Sequence, residues 1–337
     1  MAAVEGSAAS ITIFKPPENL GRRKMADATF VFWGVLATTI GLAVLVALVT
    51  GLFVTGHAKL TTDFFLSFPA PEAANAGILS AWVGSILVII TTALIAIPLG
   101  VLAALYLEEY AAKNAFTDVI EVTVNNLAGV PSIVYGLLGL GLFVYQLGMG
   151  QSITTAGLTL ALLILPVIIV ATREALRGVP QGIREAALSV GATKWQTTSH
   201  HVLPYAMPGV VTGVIIGLSR ALGETAPLIV IGVPTFVAFL PFLTPNDVGQ
   251  PVYDESGAEH ILSSGDMLSS WMPFGDQGWL SQLFTVMPMQ MFNWSGRPEA
   301  EFQENAAAAG IVLLLITLLM NGTAIWLRYN MRKKIRW

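Results

Sequence analysis

Long stretches without any charged residue are the feature that most limits what this chain can fold into. Such stretches include residues 28–56, 73–107, 122–172 and 305–327. A bilayer core of about 30 Å is crossed by about 20 apolar residues in a helix. Each stretch is therefore long enough to span a membrane once, and the third is long enough to do so twice.

The amino-acid composition excludes a soluble enzyme. Charged residues make up only 11% of the chain, against about 25% in an average soluble domain. A net charge of −4 gives no reason to expect a nucleic-acid partner. The chain has no cysteine, and its four histidines form no spaced ligand set, so the sequence predicts no metal site and no catalytic residues.

The apolar pattern predicts an all-α, polytopic membrane protein. Six transmembrane helices are expected at about 30–55, 78–107, 127–147, 153–172, 208–231 and 306–327, together forming a permease domain over 30–327. Residues 1–29 show no apolar periodicity and are expected to form a disordered N-terminal tail. A basic C-terminal tail follows at 328–337.

The distribution of basic residues predicts the orientation. Fourteen of the seventeen lysines and arginines lie in the two tails and in alternate loops, whereas the remaining loops contain only Lys59 and Arg297. Basic residues favour the cytoplasmic side, so both termini and residues 173–204 are expected there. The acidic segment 234–304 is then outside, either as a small folded cap, as interfacial helices, or as a solvated loop.

The segment 173–204 contains turn signals at helical spacing. One short helix is expected to begin after Pro180 and to end before Gly191, because glycine commonly follows a helix end. Thr193 is placed to cap a second short helix. The result is either a specific docking element for another protein or an ordinary amphipathic loop.

The predicted fifth span contains two charges, Arg220 and Glu224. Charges at membrane depth are costly and rarely face lipid. Glycines four residues apart precede them and predict a helix-packing stripe: Gly209, Gly213 and Gly217. The two charges form either a structural pair between helices or a gated contact for an anion, since arginine suits oxyanions.

A third stretch, residues 125–136, combines a proline, small residues and two hydroxyl groups. Ser132 and Tyr135 either line a path through the membrane or hold helices together.

Part of the 173–204 segment resembles the "EAA…G…LP" loop of ABC importer permeases. The matching residues are Glu185, Ala186, Ala187, Gly191, Leu203 and Pro204. His201 departs from the pattern, because the family has isoleucine there. The resemblance implies that this loop docks on a separate ATPase subunit and transmits its closure to the membrane helices.

The segment around Arg220 and Glu224 is similar to the "GET" segment of phosphate-specific (Pst) permeases, most closely of the PstA type. Resemblance extends over roughly 77–336 and implies the type I ABC importer permease (MetI-like) fold. It also implies that Arg220 and Glu224 matter for phosphate passage. Thr225 and Ser132 are further candidates for the substrate path.

Membership of that family implies a transport function rather than an enzymatic one. The expected partners are a PstC-like second permease, a PstB-like ATPase dimer, a PstS-like phosphate-binding protein, inorganic phosphate and membrane lipid. The chain has no Gly-x-x-x-x-Gly-Lys-[Ser/Thr] loop, so no cofactor is expected on it, and ATP and magnesium belong to the partner ATPase. The bacterial inner membrane is the expected location.

Three alternatives remain open at this point. The chain is a permease for another oxyanion such as sulfate or molybdate, a channel or ion-coupled carrier outside the ABC class, or an intramembrane enzyme. A carrier is expected to show an internal repeat or several intramembrane ionisable groups, and an enzyme paired acids or a histidine cluster at membrane depth. Neither pattern occurs in this sequence.

Overall fold

The computed structural model describes residues 20–242, 251–253, 259–273 and 278–334. The chain divides into two compact units, residues 1–51 and 52–337. Its α-helices, in chain order, are α1 Leu20–Gly56, α2 Thr62–Leu66, α3 Leu79–Leu105, α4 Ala115–Leu127, α5 Ser132–Gly139, α6 Ile153–Arg177, α7 Gln181–Ser189, α8 Lys194–Thr197, α9 Leu203–Gly223, α10 Ala226–Ile231, α11 Ser264–Trp271, α12 Met287–Ser295 and α13 Ala300–Lys334.

Shorter elements extend several of these helices. Turns of π-helix follow α3, α5 and α8, at Tyr106–Tyr110, Leu140–Gln146 and Thr198–Val202. Turns of 3₁₀-helix lie at His57–Lys59 and Trp279–Ser281. The strands β1 Pro251–Tyr253 and β2 Glu259–Ile261 pair antiparallel.

Five helices of the described chain are long and apolar enough to cross a membrane. They are Lys24–Lys59, Leu79–Tyr110, Ile153–Arg177, Lys194–Gly223 and Ala300–Met331. A sixth crossing is possible if the bent pair Ala115–Leu127 and Ser132–Gln146, which meet at 104°, counts as one span. This pattern confirms the predicted all-α, polytopic class.

Three predicted boundaries are wrong. Residues 20–29 are helical rather than disordered, whereas the rest of the predicted tail, 1–19, lies outside the described residues. The helix predicted from 127 starts at Ser132, because Pro131 precedes it and proline favours a helix start over a helix interior. The helix predicted over 208–231 is broken after Gly223.

Helix α6 forms the centre of the second unit and packs along α3 and α9. Leu160, Ile164 and Ile168 of α6 are fully buried there. Close approach of α3 depends on glycine, because a Cβ at Gly100 would lie 2.7 Å from Ile168 Cγ2. Because this interior is closely packed, movement of α3 or α9 must displace side chains of α6.

The segment 234–304 contains folded structure rather than only solvated chain. In α12, Met287 and Trp294 are fully buried, and the Trp294 ring lies 6.1 Å from that of Phe64 and 6.4 Å from that of Phe302. The described part of this segment therefore favours the folded cap. Residues 243–250, 254–258 and 274–277 lie outside the described chain, as does the end of the basic tail, 335–337.

Candidate functional site

The predicted glycine stripe lies at the contact between α9 and α6. A Cβ at Gly209 would lie 2.5 Å from Ala175 Cβ, and one at Gly217 would lie 3.3 Å from Ile168 Cγ1. At Gly213 it would overlap the Ala171 side chain. Hydrogen in place of a side chain therefore lets the two helices approach closely at these positions.

Helix α9 ends immediately beyond this stripe. Gly223 is its last residue, Glu224 has extended backbone angles (φ −80°, ψ 122°), and α10 begins at Ala226. Pro227 explains the break, because it has no N–H to bond the carbonyl four residues earlier and its ring clashes with that carbonyl. The residue four earlier is Gly223. The prediction of one continuous helix over 208–231 is therefore wrong, and Pro227 is the residue in the sequence that indicates the break.

Arg220 and Glu224 face each other across this break. Arg220 Nε lies 3.2 Å from Glu224 Oε1, and the two side chains remain 36% and 20% exposed. The pair is therefore formed without the two residues sharing one continuous helix, which corrects the predicted arrangement. Both side chains are therefore partly exposed at the surface of this chain rather than enclosed in its core.

A cavity of about 570 Å³ opens beside the break. Its lining includes Gly223 and Thr225, together with Pro288, Met291 and Phe292 of α12. Glu224 lines a much smaller void against α3 and α6. The break thus places Thr225, the residue after Glu224, at a space large enough for a small solute.

Helix α5 packs against the same break. A Cβ at Gly136 would lie 2.7 Å from Pro227 Cα, so only glycine fits there without displacement. Tyr135 is buried and donates a hydrogen bond from its hydroxyl to Leu127 O at 2.8 Å. Tyr135 therefore holds the bend between α4 and α5.

Ser132 is the first residue of α5 and is half-buried. Within the described chain, no hydrogen bond joins it to Arg220 or Glu224. The structure therefore brings Arg220, Glu224 and Thr225 together, whereas Ser132 lies on a neighbouring helix.

The 173–204 segment contains the two short helices that its turn signals predict. Helix α7 follows Pro180, and Gly191 after it has φ +87°, a left-handed conformation that suits glycine. Helix α8 has a capping box, in which Thr193 accepts from Gln196 N–H and the Gln196 side chain accepts from Thr193 N–H. These local bonds set the angle between α7 and α8.

Three large apolar side chains of this pair of helices are exposed among polar ones. Leu188, Val190 and Trp195 are exposed large side chains. Glu185 and Ala186 are also exposed, whereas Ala187 is buried. Exposed apolar residues concentrated on a surface element are typical of a binding interface.

The end of the segment leads directly into α9. Leu203 is partly buried and packs against a cluster that includes Leu105, Leu176 and Val202. Pro204 lies in the first turn of α9, where a missing N–H costs little. His201, the departure from the loop pattern, is exposed in the π-turn before α9.

The residues just after α3 were not predicted from the sequence as functional. Glu108, Glu109 and Tyr110 lie in the π-turn there and meet arginine and lysine side chains of the 173–204 segment and of the end of α6. The available signal was a pair of acids immediately after a long uncharged stretch, at the same predicted membrane face as four basic residues.

The chain is similar to known transport proteins over nearly its whole length. It is 32% identical over 320 residues to the "Probable ABC transporter permease protein YqgI" of Bacillus subtilis (strain 168), covering 93% of this chain and 98% of that protein. This chain belongs to the ABC transporter permease family. Residues 96–244 of this permease also match the family described as "Binding-protein-dependent transport system inner membrane component".

Other relatives of the permease are named for phosphate transport. It is 42% identical over 161 residues to the "Phosphate transport system permease protein PstA" of Mycobacterium leprae (strain TN), covering 48% of this chain and 53% of that protein. It is 27% identical over 303 residues to the protein of the same name from Xylella fastidiosa (strain Temecula1 / ATCC 700964), covering 89% and 91%. The PstA type that the sequence motifs predicted is thus confirmed.

A solved structure supports the fold of the permease. The permease matches a chain of the structure titled "Crystal structure of bacterial alginate ABC transporter in complex with alginate pentasaccharide-bound periplasmic protein" with a TM-score of 0.57, covering 91% of this chain and 96% of that one. Identity is 14%, so the match shows the fold alone. It places the helices in the arrangement expected for a permease of an ABC importer.

Proposed function

We propose that this chain is the PstA-type permease subunit of an ATP-driven phosphate importer. The observation that carries the proposal is Arg220 just before the break between α9 and α10, where Gly223 and Thr225 line the cavity of about 570 Å³, in a permease whose relatives are named for phosphate transport. A guanidinium has a planar fork of donors that matches the oxygens of a phosphate ion.

The hydrogen bonding of Arg220 leaves capacity for an anion. Among the described residues it donates through Nε to Glu224. An arginine has five N–H donors in all, so its two terminal nitrogens can meet an oxyanion while Nε stays paired, or the whole group can turn when the pair opens. Arg220 thus exchanges Glu224 for phosphate as the ion passes, and Glu224 neutralises the cation when the path is empty.

Thr225 and Ser132 are the further path residues in this proposal. Thr225 lines the cavity directly, and its hydroxyl offers a neutral hydrogen bond that holds an anion without trapping it. Ser132 joins the path when α5 moves with the break against which Gly136 packs.

The energy for transport enters through the 173–204 segment. The exposed apolar face formed by Leu188, Val190 and Trp195, beside Glu185 and Ala186, is the surface on which a separate ATPase subunit docks. Because Leu203 packs into the helix bundle at the end of this segment, closure of the ATPase pulls on α9 and opens the break. We call residues 173–204 the coupling loop.

The importer then needs partners that this chain does not supply. They are a PstC-like permease to complete the path, a PstB-like ATPase dimer that binds ATP and magnesium, and a PstS-like protein that delivers phosphate. The permease chain itself carries no cofactor. It lies in the bacterial inner membrane with both termini in the cytoplasm, in line with the distribution of its basic residues.

Labelled phosphate uptake tests this proposal. The chain is co-expressed with its partner subunits in a strain that lacks its own phosphate importer, and uptake is measured with and without an excess of sulfate or molybdate. Uptake that depends on the chain and resists both competitors is expected. Uptake abolished by sulfate or molybdate, or uptake that continues without the ATPase, would contradict it.

A further inference from the structure

Three successive residues after α3 each hold a cation from a different helix. Glu108 Oε2 lies 3.4 Å from Arg173 Nε and 3.1 Å from Arg177 Nε, both at the end of α6. Glu109 Oε1 lies 2.7 Å from Arg184 Nη2 of α7. The Tyr110 ring lies 5.0 Å from the Lys194 ammonium of α8, within the range of a cation–π contact. We call residues 108–110 the receiving triplet.

The contact with α7 is largely enclosed. Glu109 and Arg184 are 10% and 22% exposed at their side chains. Arg184 also donates to Leu176 O at 3.0 Å and Val179 O at 2.8 Å, the backbone carbonyls just at and after the end of α6. One guanidinium therefore joins α3, α6 and α7, and the rigid fork of arginine suits such a junction better than lysine does.

Arg184 lies next to the proposed docking surface in the sequence. It precedes Glu185, the first exposed residue of the docking surface proposed above. A force applied to α7 therefore reaches Glu109 through one side chain. The route is shorter than the one through α8 and the π-turn into α9.

The receiving triplet lies where the regular hydrogen bonding of α3 changes to that of a π-turn. The triplet lies in a π-turn, Tyr106–Tyr110, where Ala111 N–H bonds Tyr106 O at 2.8 Å, five residues earlier. Such turns are rare and occur often at functional sites. Helix α3 in turn packs closely on α6 at Gly100 and Ile168, so a shift of the triplet is carried into the membrane helices.

We infer that the receiving triplet takes up the movement of the coupling loop and transmits it to α3, with Arg184 as the positioning residue that joins them. This inference rests on the proposed function and extends it, because it adds a second route from the ATPase to the helix bundle. In this account the Arg184–Glu109 contact is needed for coupling, whereas ATPase docking depends on the outer face of α7 and α8.

The first test separates coupling from docking. Arg184→Gln is prepared in the whole importer in proteoliposomes, and phosphate uptake, ATP hydrolysis and co-purification of the ATPase are measured on the same sample. The expected result is normal co-purification with a fall of about fivefold or more in phosphate taken up per ATP hydrolysed, in the range of ordinary coupling between sites. An unchanged ratio would overturn the inference.

A matched control removes a charge nearby without cutting the junction. Glu174 is exposed and pairs with Arg177 of its own helix at 3.3 Å. Glu174→Gln is therefore expected to keep the wild-type ratio of uptake to hydrolysis. An equal loss in this variant would mean that local charge, rather than the junction, sets the ratio, and would also overturn the inference.

A covalent cross-link between positions 109 and 184 provides a second test. A purely structural role for the contact does not predict that the link restores phosphate uptake per ATP hydrolysed. The chain contains no cysteine, so Glu109→Cys with Arg184→Cys provides a defined pair for a short bis-maleimide linker. The unlinked variant is expected to be uncoupled, and linking is expected to restore uptake per ATP, whereas linker on either single variant does nothing. A ratio that stays low after complete linking would overturn the inference.

These outcomes are distinct from a failure of the proposed function. A wild-type complex that hydrolyses ATP but takes up no phosphate contradicts the proposed substrate, and the inference about coupling to phosphate uptake falls with it. Normal wild-type uptake with an unchanged ratio in Arg184→Gln contradicts the inference alone.

Discussion

Arg220 and Glu224 are paired across the end of a helix. The helix that carries Arg220 stops at Gly223, yet Arg220 Nε lies 3.2 Å from Glu224 Oε1. The acid is therefore carried by a residue with extended backbone angles rather than by a turn of the helix. In the proposed function, opening of the break would separate the two groups without unwinding α9, so that Arg220 could meet the anion.

Removal of the acid is expected to harm transport less than removal of the base. In Glu224→Gln, Arg220 keeps its charge and loses only its resting partner, so phosphate uptake should fall by a smaller factor than in Arg220→Gln. Uptake rates of the two single variants and the double variant, at equal expression, measure this. A larger loss in Glu224→Gln than in Arg220→Gln would favour the purely structural pair.

The packing of α9 on α6 is expected to tolerate no side chain at Gly213. In Gly213→Val the new side chain meets Ala171, and overpacking of this kind costs about 1–3 kcal/mol. The melting temperature of the purified complex should fall. Gly322→Ala is the matched control, because nothing lies within 4 Å of a Cβ there, and an equal fall in that variant would contradict the account.

The angle between α7 and α8 is expected to depend on Gly191. Because its φ is +87°, Gly191→Ala adds strain of about 1–2 kcal/mol and shifts α7 relative to α8. Co-purification of the ATPase with the permease should weaken. Gly182→Ala tests a helical position with open space and should not lower the melting temperature.

The docking surface is expected to be sensitive to bulk. Glu185 is exposed at the outer face of α7, so Glu185→Trp should obstruct a closely fitting partner and weaken its association. Unchanged co-purification of the ATPase together with normal transport in Glu185→Trp and Gly191→Ala would contradict the docking role of the coupling loop.

Tyr135 is expected to support the structure rather than the substrate. Tyr135→Phe loses the hydrogen bond to Leu127 O, which is worth about 0.5–1.5 kcal/mol. Stability should fall by about that amount while the apparent affinity for phosphate, measured from the concentration dependence of uptake, stays the same. A large change in affinity with unchanged stability would place Tyr135 in the path instead.

The sequence was sufficient for features that depend on local chemistry. Spans follow from uncharged stretches, and the helices around Gly191 and Thr193 follow from turn and capping preferences that need only neighbouring residues. The break at Glu224 also has a local cause, since Pro227 excludes a bond to Gly223, although the hydropathy of 208–231 alone favours one continuous helix.

Contacts between distant segments were beyond prediction from the sequence. Glu109 and Arg184 meet only because α3 and α6 pack with their ends level, and that register depends on the fit of Gly100 against Ile168. In the same way, the burial of Trp294 depends on its fit against Phe64 and Phe302. Nothing in the local sequence of either partner specifies such pairs.

Phosphate uptake by Arg220→Gln tests the central claim most directly. The variant keeps the length and much of the polarity of the side chain but lacks the charge, and loss of charged hydrogen bonds to the anion should lower uptake by at least about tenfold. The ATPase should still co-purify, which shows that the complex has assembled. Uptake at the wild-type rate in an assembled complex would contradict the claim that Arg220 conducts the anion.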